Sequence, residues 1–578
     1  MPQNRRKVPF SGKQKKLLLL SKRQSKNSLL SNEANDSTTD ESDQAGESSG
    51  VQKINFQPSV SRRNANRYAL SFHRETVKEM KAQKDAARKP IQFILRSDLE
   101  TGDEYFHGYD FPIRPKWSYD MSKEAVDRNE NRYFTEYVMK LEKSHAEQGK
   151  SLSYCELNLE TWRQLWRVLE ISDIILVIVD ARYPSLLFPP SLFEYVTQTL
   201  NKHMILVLNK IDLVPSHIAL AWKHYFEETY KDIRVILFTS FPSYNLRSVP
   251  ERDGAAGGLK ILRRRGKMRM AKEGAYQIQQ ACKAIVKGEI DITSWENKII
   301  DEIKGMQINE GLPSTSFDQQ QARQVDDTDF DMKDRVRFQN GILTVGCVGF
   351  PNVGKSSLMN ALMGKKVVSV SKTPGHTKHF QTIFLTNNVR LCDCPGLVFP
   401  SSVPRKLQVL IGSYPIAQLR EPFASVQYLA ERIDLIKTLN IKVEGLWSAM
   451  EICDAWALTR GFLTAKAARP DTNRAANHIL RMTLSGQIVM TLLPPGFVAK
   501  EDAWQTHEGI SDVEAIKALG ISEDLVEVDE NFDSDSENED DTKDEESDNE
   551  ENSQDDDDDA IIKPKRNAFA LLDDDDED

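Results

Sequence analysis

Residues 349–357 read Gly349-Phe350-Pro351-Asn352-Val353-Gly354-Lys355-Ser356-Ser357. This stretch follows an apolar run, residues 342–348, and precedes a helix-like segment, residues 358–363. A strand, a glycine-rich loop and a helix in this order are the context that a phosphate-binding P-loop requires. The main-chain N–H groups of such a loop point at one anion, and the helix N-terminus adds its dipole. The sequence therefore predicts an α/β domain that binds a nucleotide through this loop.

Residues of the loop have distinct predicted roles. Lys355 is expected to reach the β- and γ-phosphates, and the Ser356 hydroxyl is expected to bind Mg²⁺. The expected nucleotide contacts of the loop are Gly349, Asn352, Val353, Gly354, Lys355, Ser356 and Ser357. The alternative is a chance match within a glycine turn, and the flanking strand and helix argue against it.

Apolar runs elsewhere predict the remaining strands of a sheet. Residues 174–180 form a continuous apolar run typical of a buried parallel strand, and residues 204–208 and 235–238 give two more. Residues 380–385 and 389–391, after the loop, complete a set of six. Because the first three runs alternate with helical patterns, we predict a doubly wound α/β sheet. A helix over 161–170 precedes it, and its Trp162 and Trp166 are expected to pack in the core.

The tetrapeptide Asn209-Lys210-Ile211-Asp212 follows the second of these strands. A carboxylate at Asp212 can accept hydrogen bonds from the ring N–H and the exocyclic amine of guanine, so the wrong base leaves it unpaired. We expect Lys210 to cover the base and Asn209 to tie this loop to the P-loop. The ligands implied are GTP and GDP.

The last strand ends in Asp393-Cys394-Pro395-Gly396. Asp393 is expected to hold Mg²⁺ through water, and the Gly396 amide is expected to contact the γ-phosphate, since a glycine lets the main chain approach closely. Thr377 is the candidate threonine of the first switch. The predicted magnesium ligands are therefore Ser356, Thr377 and Asp393.

The order of these motifs predicts one domain that is circularly permuted. The base-binding half, residues 171–250, precedes the phosphate-binding half, residues 341–400, and each half alone is incomplete. Permutation is tolerated because domain termini often lie close together. We interpret residues 251–340 as a largely flexible insertion, whose basic run at 263–267 either contacts RNA or is a solvated loop.

Charge is distributed unevenly around this domain. From residue 523 onward there are 28 acidic and 4 basic residues, whereas the remainder has 72 basic and 59 acidic residues, a net charge of +13. A basic body suggests a polyanionic partner, nucleic acid first, although a solvated surface with a solubility tail is the alternative. We predict disorder in a basic, then polar arm at 1–50 and in an acidic tail at 521–578. Residues 51–170 are expected to be mostly helical, and residues 401–520 to form a helical C-terminal domain.

Short sequence segments predict where in the cell the protein is located. No apolar run approaches the roughly 20 residues of a membrane span, so no membrane partner is expected, and we expect a monomer. The basic segments at 1–30 and 563–566 are either nuclear targeting signals or, for the first, an RNA-contacting arm. Nuclear and nucleolar localisation, with shuttling to the cytoplasm, is the expectation. Serines at 534, 536, 547 and 553 precede acidic residues, which invites phosphorylation by acidophilic kinases.

At these motifs the chain resembles the circularly permuted GTPases of ribosome assembly. The supporting stretches are residues 1–16, 188–190, 221–226, 238–242, 348–357, 373–377, 392–399, 407–419 and 464–469. The resemblance implies GTP hydrolysis and action on the large ribosomal subunit through a preribosomal particle, rRNA or ribosomal proteins. It also implies a main-chain contact from Ser240 to the guanine oxygen, although relatives usually have alanine where this chain has Phe241.

The catalytic residues expected are Lys355, Thr377, Gly396 and Asn352. Leu397 stands where a glutamine often orients the attacking water, so slow intrinsic hydrolysis is expected. Asn352 occupies the position of a potassium ligand in GTPases of similar pattern, or it is a turn residue. Lys466, Arg469, Arg474 and Arg481 have near-helical spacing and form either an rRNA-binding face or a solvated one. A nucleotide-gated interaction or signalling protein without a ribosomal substrate is the alternative function.

Overall fold

The computed structural model describes residues 77–118, 120–148, 153–239, 264–308, 337–364, 367–368, 381–442, 447–464 and 469–519. Several predictions lie outside the described residues: the disorder of 1–50 and 521–578, the switch residue Thr377, the guanine contact Ser240, and Lys466 of the basic face.

The centre of the structure is a sheet of six strands. They are β1 (Ile174–Asp180), β2 (His203–Asn209), β3 (Arg234–Leu237), β4 (Leu343–Val348), β5 (Gln381–Thr386) and β6 (Val389–Asp393). Their order in space is β3-β2-β1-β4-β6-β5, and every pairing is parallel except that of β5 with β6. All six predicted strands are present, within one or two residues at each end.

The pairing of β1 with β4 joins the two halves of the domain. Ile174 lies opposite Val345, and Val177 lies opposite Val348, which directly precedes the P-loop. Every residue of β1 and β4 is buried, as expected for parallel strands covered on both faces. One sheet therefore spans both halves, and the prediction of a circularly permuted, doubly wound α/β domain is confirmed.

Helices connect and cover the strands, and further helices follow β6. In chain order they are α1 (Val77–Ala86), α2 (Lys123–Gln148), α3 (Leu159–Ile171), α4 (Pro184–Leu187), α5 (Pro190–Glu194), α6 (Ser216–Thr229), α7 (Arg264–Val286), α8 (Thr293–Ile308), α9 (Lys355–Met363), α10 (Arg405–Leu410), α11 (Phe423–Ala430), α12 (Leu435–Leu439), α13 (Ala449–Arg460), α14 (Thr472–Ser485), α15 (Glu501–Gln505) and α16 (Ile510–Ala518). A π-helical turn, Tyr195–Thr199, continues α5. Short 3₁₀ turns occur at Arg96–Leu99, Glu104–Phe106, Ile211–Leu213, Gln339–Gly341, Ile416–Gln418 and Val498–Lys500.

The tryptophans of α3 pack as predicted. Trp162 and Trp166 are buried, and their ring N–H groups donate to the main-chain oxygens of Glu156 at 3.0 Å and Pro112 at 2.8 Å. Because burial of an indole requires a partner for its N–H, these bonds account for both rings as core residues.

The interpretation of residues 251–340 as a largely flexible insertion is wrong for residues 264–308. This segment forms α7 and α8, which contact each other, and it covers the sheet by contacts of α7 with β3 and of α8 with β5. Trp295 and Cys282 are fully buried in this layer. The apolar residues of α7 recur at helical spacing among lysines and glutamines, and that period outweighs the polar composition.

The ammonium groups of Lys272 on α7 and Lys298 on α8 hold the C-terminal end of the P-loop helix α9. Lys272 donates to the main-chain oxygen of Ala361 at 3.4 Å and Lys298 to that of Met363 at 3.1 Å, and both lysines contact the Glu302 carboxylate. Cations at a helix C-terminus satisfy its unpaired carbonyls and its dipole. The supposed insertion therefore supports the helix that begins at Lys355.

The N-terminal segment runs along the region that follows β6. The main-chain N–H of Ile91 donates to the main-chain oxygen of Trp447, that of Thr101 to Leu493, and that of Ser402 to Tyr105, at 2.8–2.9 Å.

Within the described part of the chain, no helix is long and apolar enough to cross a membrane.

Replacing Trp295 tests whether α7 and α8 belong to the core. Trp295→Ala is expected to lower the free energy of unfolding by about 3–5 kcal/mol, because it leaves a large cavity under the sheet. Urea denaturation followed by circular dichroism measures the change. Tyr276→Ala on the same layer, at a ring that is 37% exposed, is the control and should cost about 1 kcal/mol or less. Small effects of similar size in both variants would show that residues 264–308 are a loosely attached insertion and not part of the core.

Candidate functional site

The P-loop connects β4 to α9 in a conformation that requires glycine at two positions. Gly349 has φ +156°, and a Cβ added there would lie 2.4 Å from the main-chain oxygen of Ile178 on β1. Gly354 precedes α9 with φ +100°, a conformation that side chains rarely adopt. Between them Asn352 has φ +59°, and asparagine tolerates this region better than most residues. The loop therefore curls tightly over the end of β1.

Lys355, the first residue of α9, lies inside this loop. Its Nζ donates to the main-chain oxygens of Gly349 at 3.1 Å and Phe350 at 2.7 Å. The side chain is buried, and burial lowers its pKa below the usual range, although Asp393 acts against this shift. The ammonium group is thus held at the position from which a P-loop lysine reaches phosphate oxygens.

Ser356 and Asp393 face each other across the start of α9 and the end of β6. The Ser356 hydroxyl donates to Asp393 Oδ2 at 3.0 Å, while Asp393 Oδ1 is buried and accepts no hydrogen bond from the described residues. Burial raises the pKa of Asp393 to about 6, against the effects of Lys355 and Ser356. A buried carboxylate oxygen with a hydroxyl beside it suits a hard cation or its water ligands. These two residues fit Mg²⁺, as predicted for them, and Thr377 lies outside the described residues.

Gly396 passes close to the P-loop. A Cβ at this position would lie 2.8 Å from the Cα of Pro351 and 3.1 Å from Lys355 Nζ, so no side chain fits there. The next residue, Leu397, donates its main-chain N–H to the oxygen of Gly349 at 3.3 Å, and its side chain is fully buried. The segment after β6 therefore approaches the phosphate loop with its main chain at Gly396 and Leu397, and the ring of Phe399 then packs against that of Phe350, 5.6 Å between centroids.

The base-binding loop touches the P-loop directly. Asn209 Nδ2 donates to the main-chain oxygen of Val353 at 2.7 Å, and its Oδ1 accepts from the N–H of Lys210. Lys210 has φ +64°, and its Nζ donates to the main-chain oxygen of Asn352 at 2.7 Å. The side chain of Lys210 thus spans the two loops, with Asn209 joining them as the sequence predicts.

Asp212 lies in the 3₁₀ turn that follows β2. Its Oδ1 accepts a hydrogen bond from Thr239 Oγ1 at 3.3 Å, and burial raises the pKa of its carboxyl group to about 6. The hydrogen bond from Thr239 and the charge of Lys210 oppose this rise. Desolvation favours any ligand that supplies N–H donors to the carboxylate, and guanine supplies two.

The structure brings the predicted residues of the two halves to one edge of the sheet. Asn209 and Lys210 contact the P-loop at Val353 and Asn352, Lys355 lies within it, and Ser356, Asp393 and Gly396 adjoin it. Ser357 follows in the first turn of α9, and Ser240 lies outside the described residues. Nucleotide contacts by these residues stay predictions.

Sequence reasoning missed three residues here. Thr239 holds Asp212, and Asp180 and Arg182 form a buried ion pair behind Lys210. Their position could have identified Asp180 and Arg182 as functional residues. Charged residues at or just after the end of a buried parallel strand lie at the edge of the sheet where ligands bind.

This sheet order, P-loop and base-binding loop define a P-loop GTPase domain with its halves in permuted order. A protein-family model described as "50S ribosome-binding GTPase" matches residues 344–436. Guanine nucleotide-binding protein-like 1 of Mus musculus is 43% identical, covering 87% of this chain and 88% of the relative, and the Homo sapiens protein of that name is 42% identical with the same coverage. Large subunit GTPase 1 of Saccharomyces cerevisiae is 33% identical over 66% of this chain and 57% of the yeast protein.

Among solved structures, GNP-bound YlqF from T. maritima is 19% identical and covers 58% of this chain and 97% of that chain, with a TM-score of 0.32. The chain belongs to the guanine nucleotide-binding protein-like 1 family. It is a GTPase, and the recognition of the permuted family from its motifs is confirmed.

Asp212→Asn tests the guanine-reading role of this carboxylate. GTP affinity is expected to fall by about 3 kcal/mol, because the amide replaces one acceptor oxygen with a donor, and xanthosine triphosphate should become a ligand. Fluorescent-nucleotide titration measures both affinities. Asp232→Asn, a matched change at an exposed turn position with φ +65°, should leave both unchanged. GTP affinity that is unaltered in Asp212→Asn would remove Asp212 from the site.

The raised pKa of Asp212 predicts a pH-dependent preference for guanine. Only the ionised carboxylate accepts both N–H groups, so protonation below about pH 6 weakens guanine binding. Inosine diphosphate lacks the exocyclic amine but carries the same phosphates. The ratio of the GDP affinity to the inosine diphosphate affinity should therefore decrease from pH 7.5 to pH 5. Both affinities are measured by nucleotide titration in EDTA, which removes the effects of metal binding. A ratio that stays constant over this range would contradict the assignment.

Proposed function

We propose that this GTPase acts in assembly of the large ribosomal subunit, hydrolysing GTP slowly until a preribosomal particle stimulates it. One observation carries the proposal. The region after β6, which is joined directly to the phosphate sensor, presents exposed arginines on α13 and α14. The names of similar proteins support a role on the large ribosomal subunit, since the yeast protein is named Large subunit GTPase 1 and the family model is described as a 50S ribosome-binding GTPase.

These arginines are arranged in a way that suits RNA. Arg474 lies over the ring of Phe462 with 4.7 Å between its guanidinium carbon and the ring centroid, and Arg460 lies over Trp456 at 4.5 Å. Arg469 and Arg481, in the same region of the chain, are also exposed. Guanidinium groups stacked on aromatic rings keep donors directed outward for phosphates and bases. The +13 charge outside the acidic tail supports the same class of partner.

Slow turnover follows from the segment after Gly396. The Leu397 side chain is fully buried and cannot orient water, so the enzyme lacks at this position the group that often does so. Lys355 would position the phosphates, and Ser356 and Asp393 would hold Mg²⁺, which neutralises the developing charge when it is bound.

Nuclear and nucleolar localisation is part of the same proposal, and so is phosphorylation of the acidic tail.

Asn352 is proposed to stimulate hydrolysis by binding potassium. Its Nδ2 donates to the main-chain oxygen of Gly412 at 2.9 Å, so the amide oxygen is the group left to bind a monovalent cation. Asn352→Asp retains an oxygen and tolerates φ +59°, whereas Asn352→Ala has no ligand atom. These two variants separate the cation site from the bond to Gly412.

Turnover of the isolated protein should lie at roughly 10⁻⁴ to 10⁻² s⁻¹. Replacing potassium with sodium should lower this rate, Asn352→Ala should abolish the difference, and Asn352→Asp should retain it. Phosphate release in matched potassium and sodium buffers measures the effect. Fast turnover in sodium that is indifferent to Asn352→Ala would refute the role of potassium.

The ribosomal role is tested by cosedimentation with large-subunit particles, with small-subunit particles as the control. Binding should weaken as salt increases, and Arg474→Ala with Arg481→Ala should weaken it further and reduce the slope of log K against log salt by about 1–2. Arg132→Ala, at a side chain on α2 that is 75% exposed, should change neither. Absence of binding at low salt would favour the nucleotide-gated interaction protein without a ribosomal substrate.

A further inference from the structure

Asp180 and Arg182 form a buried ion pair behind the base-binding loop, and the partly exposed Lys210 of that loop joins the pair. Arg182 binds Asp180 through two bonds, Nε to Oδ1 at 3.0 Å and Nη2 to Oδ2 at 2.8 Å. Lys210 Nζ contacts the same Oδ2 at 2.8 Å. The Asp180 and Arg182 side chains are at most 2% exposed. In the sheet Asp180 lies opposite Asn209, so the cluster is fixed to the ends of two central strands.

One end of this cluster reaches the region after β6. Arg182 Nη1 donates to the main-chain oxygen of Thr483, in the last turn of α14, at 2.7 Å. The cap of that helix, Gly486, has φ +83° and lies against Leu213, where an added Cβ would be 2.7 Å from the leucine side chain. A guanidinium at a helix C-terminus binds its unpaired carbonyls. The end of α14 therefore lies against both Arg182 and the residue after Asp212.

The other end reaches the same region through the P-loop. Lys210 donates to the main-chain oxygen of Asn352 at 2.7 Å, and Asn352 Nδ2 donates to that of Gly412, which follows α10, at 2.9 Å. A Cβ added at Gly412 would lie 3.1 Å from both Asn352 Nδ2 and Leu484 of α14. Thr483 and Gly412 are thus linked through Arg182, Asp180, Lys210 and Asn352. We call this series of contacts the Asp180 relay.

The relay holds fixed charges. Burial alone would raise the pKa of Asp180, but Arg182 and Lys210 hold it well below its usual range, and Asp180 in turn raises the pKa of Arg182. The carboxylate therefore stays ionised at any pH at which the protein works, so the relay does not switch with pH. Removing one partner leaves a buried charge uncompensated, which makes the position of Lys210 depend on the other members.

We infer that Arg182 is a positioning residue that couples the placement of α14 to guanine nucleotide affinity. It fixes Asp180, Asp180 fixes Lys210, and Lys210 is the residue expected to cover the base. A partner that draws α14 away from β1 releases Arg182 and weakens nucleotide binding, and by linkage nucleotide binding opposes that movement. Because Lys210, the member that Arg182 and Asp180 position, is expected to contact the base and not the γ-phosphate, the effect on GDP and GTP is alike. The relay is a device for nucleotide release, and it rests on guanine nucleotide binding by this site, not on a ribosomal partner.

The test measures dissociation of fluorescent GDP and GTP from the full-length protein. Arg182→Gln should accelerate dissociation of both nucleotides by a similar factor, within about 5- to 150-fold. The single-turnover rate at saturating GTP should stay within about twofold of the wild type, because Arg182 bonds to Asp180 and Thr483 and contacts none of Lys355, Ser356 and Asp393. Arg182→Lys retains a cation beside Asp180 but lacks the second arm that reaches Thr483, so it should also accelerate release while it melts nearer the wild type.

A second perturbation comes from the other side of the relay. Gly486→Ala forces the end of α14 away from Leu213 and should accelerate GDP release, and its effect should be less than additive with that of Arg182→Gln. Arg163→Gln is the matched control. It breaks a comparable set of ion pairs, with Asp127, Glu130 and Glu160, away from the relay, and should lower the melting temperature without changing nucleotide release.

The outcomes are distinct. Wild-type rates of nucleotide dissociation in folded Arg182→Gln overturn the inference. Wild-type dissociation rates in Arg182→Lys overturn it as well, because the effect of Arg182→Gln would then come from the lost charge beside Asp180 and not from the lost bond to Thr483. If Arg182→Gln does not fold, Arg182→Lys and Gly486→Ala decide between the same two results. A decrease in single-turnover rate without faster release also contradicts it. Failure of the wild type to bind guanine nucleotides would instead reject the GTPase function itself.

Discussion

A hydrogen bond of 2.7 Å joins the side-chain amide of Asn209 to the main-chain oxygen of Val353, 144 residues later in the chain. It connects the loop that would read the base with the loop that would bind the phosphates, and neither loop forms a nucleotide site alone. The bond depends on β1, which pairs in parallel with β2 on one side and with β4 on the other and so brings the ends of strands from different halves to one edge of the sheet. Both strands are buried along their whole length, and α7 and α8 contact the edge strands β3 and β5 of the same sheet. Disrupting any of these layers is therefore expected to separate the two loops.

The permuted order places Gly396, which is predicted to contact the γ-phosphate, directly before the C-terminal helices. In this arrangement Gly396 approaches the P-loop through its main chain, and the segment runs on into α10 within ten residues. The C-terminal region then returns to the site twice, at Gly412 through Asn352 and at Thr483 through Arg182. We propose that a partner bound to the C-terminal helices acts on the phosphates through Gly412 and Asn352 and on the base through Thr483 and Arg182, so that hydrolysis and nucleotide release have separate routes.

The strands and both nucleotide loops were predictable from the sequence because each is a local pattern. Apolar runs mark β1 and β4, and glycines in the P-loop mark a main chain that must curl. The sequence did not predict that α7 and α8 belong to the core, because their apolar residues, such as Ile278 and Cys282, recur only at helical spacing among polar ones. The bond from Arg182 to Thr483 could not have been predicted, since it crosses 301 residues and ends on a main-chain oxygen that carries no sequence signal. The raised pKa values of Asp212 and Asp393 depend in the same way on burial in three dimensions.

Hydrogen–deuterium exchange during a GDP titration tests the central claim, that loops from the two halves form one nucleotide site. Residues 207–213 and 349–357 should gain protection together, with the same GDP concentration at the midpoint, because one ligand contacts both loops. Protection of residues 349–357 alone, or two different midpoints, would contradict a single permuted domain with a shared site.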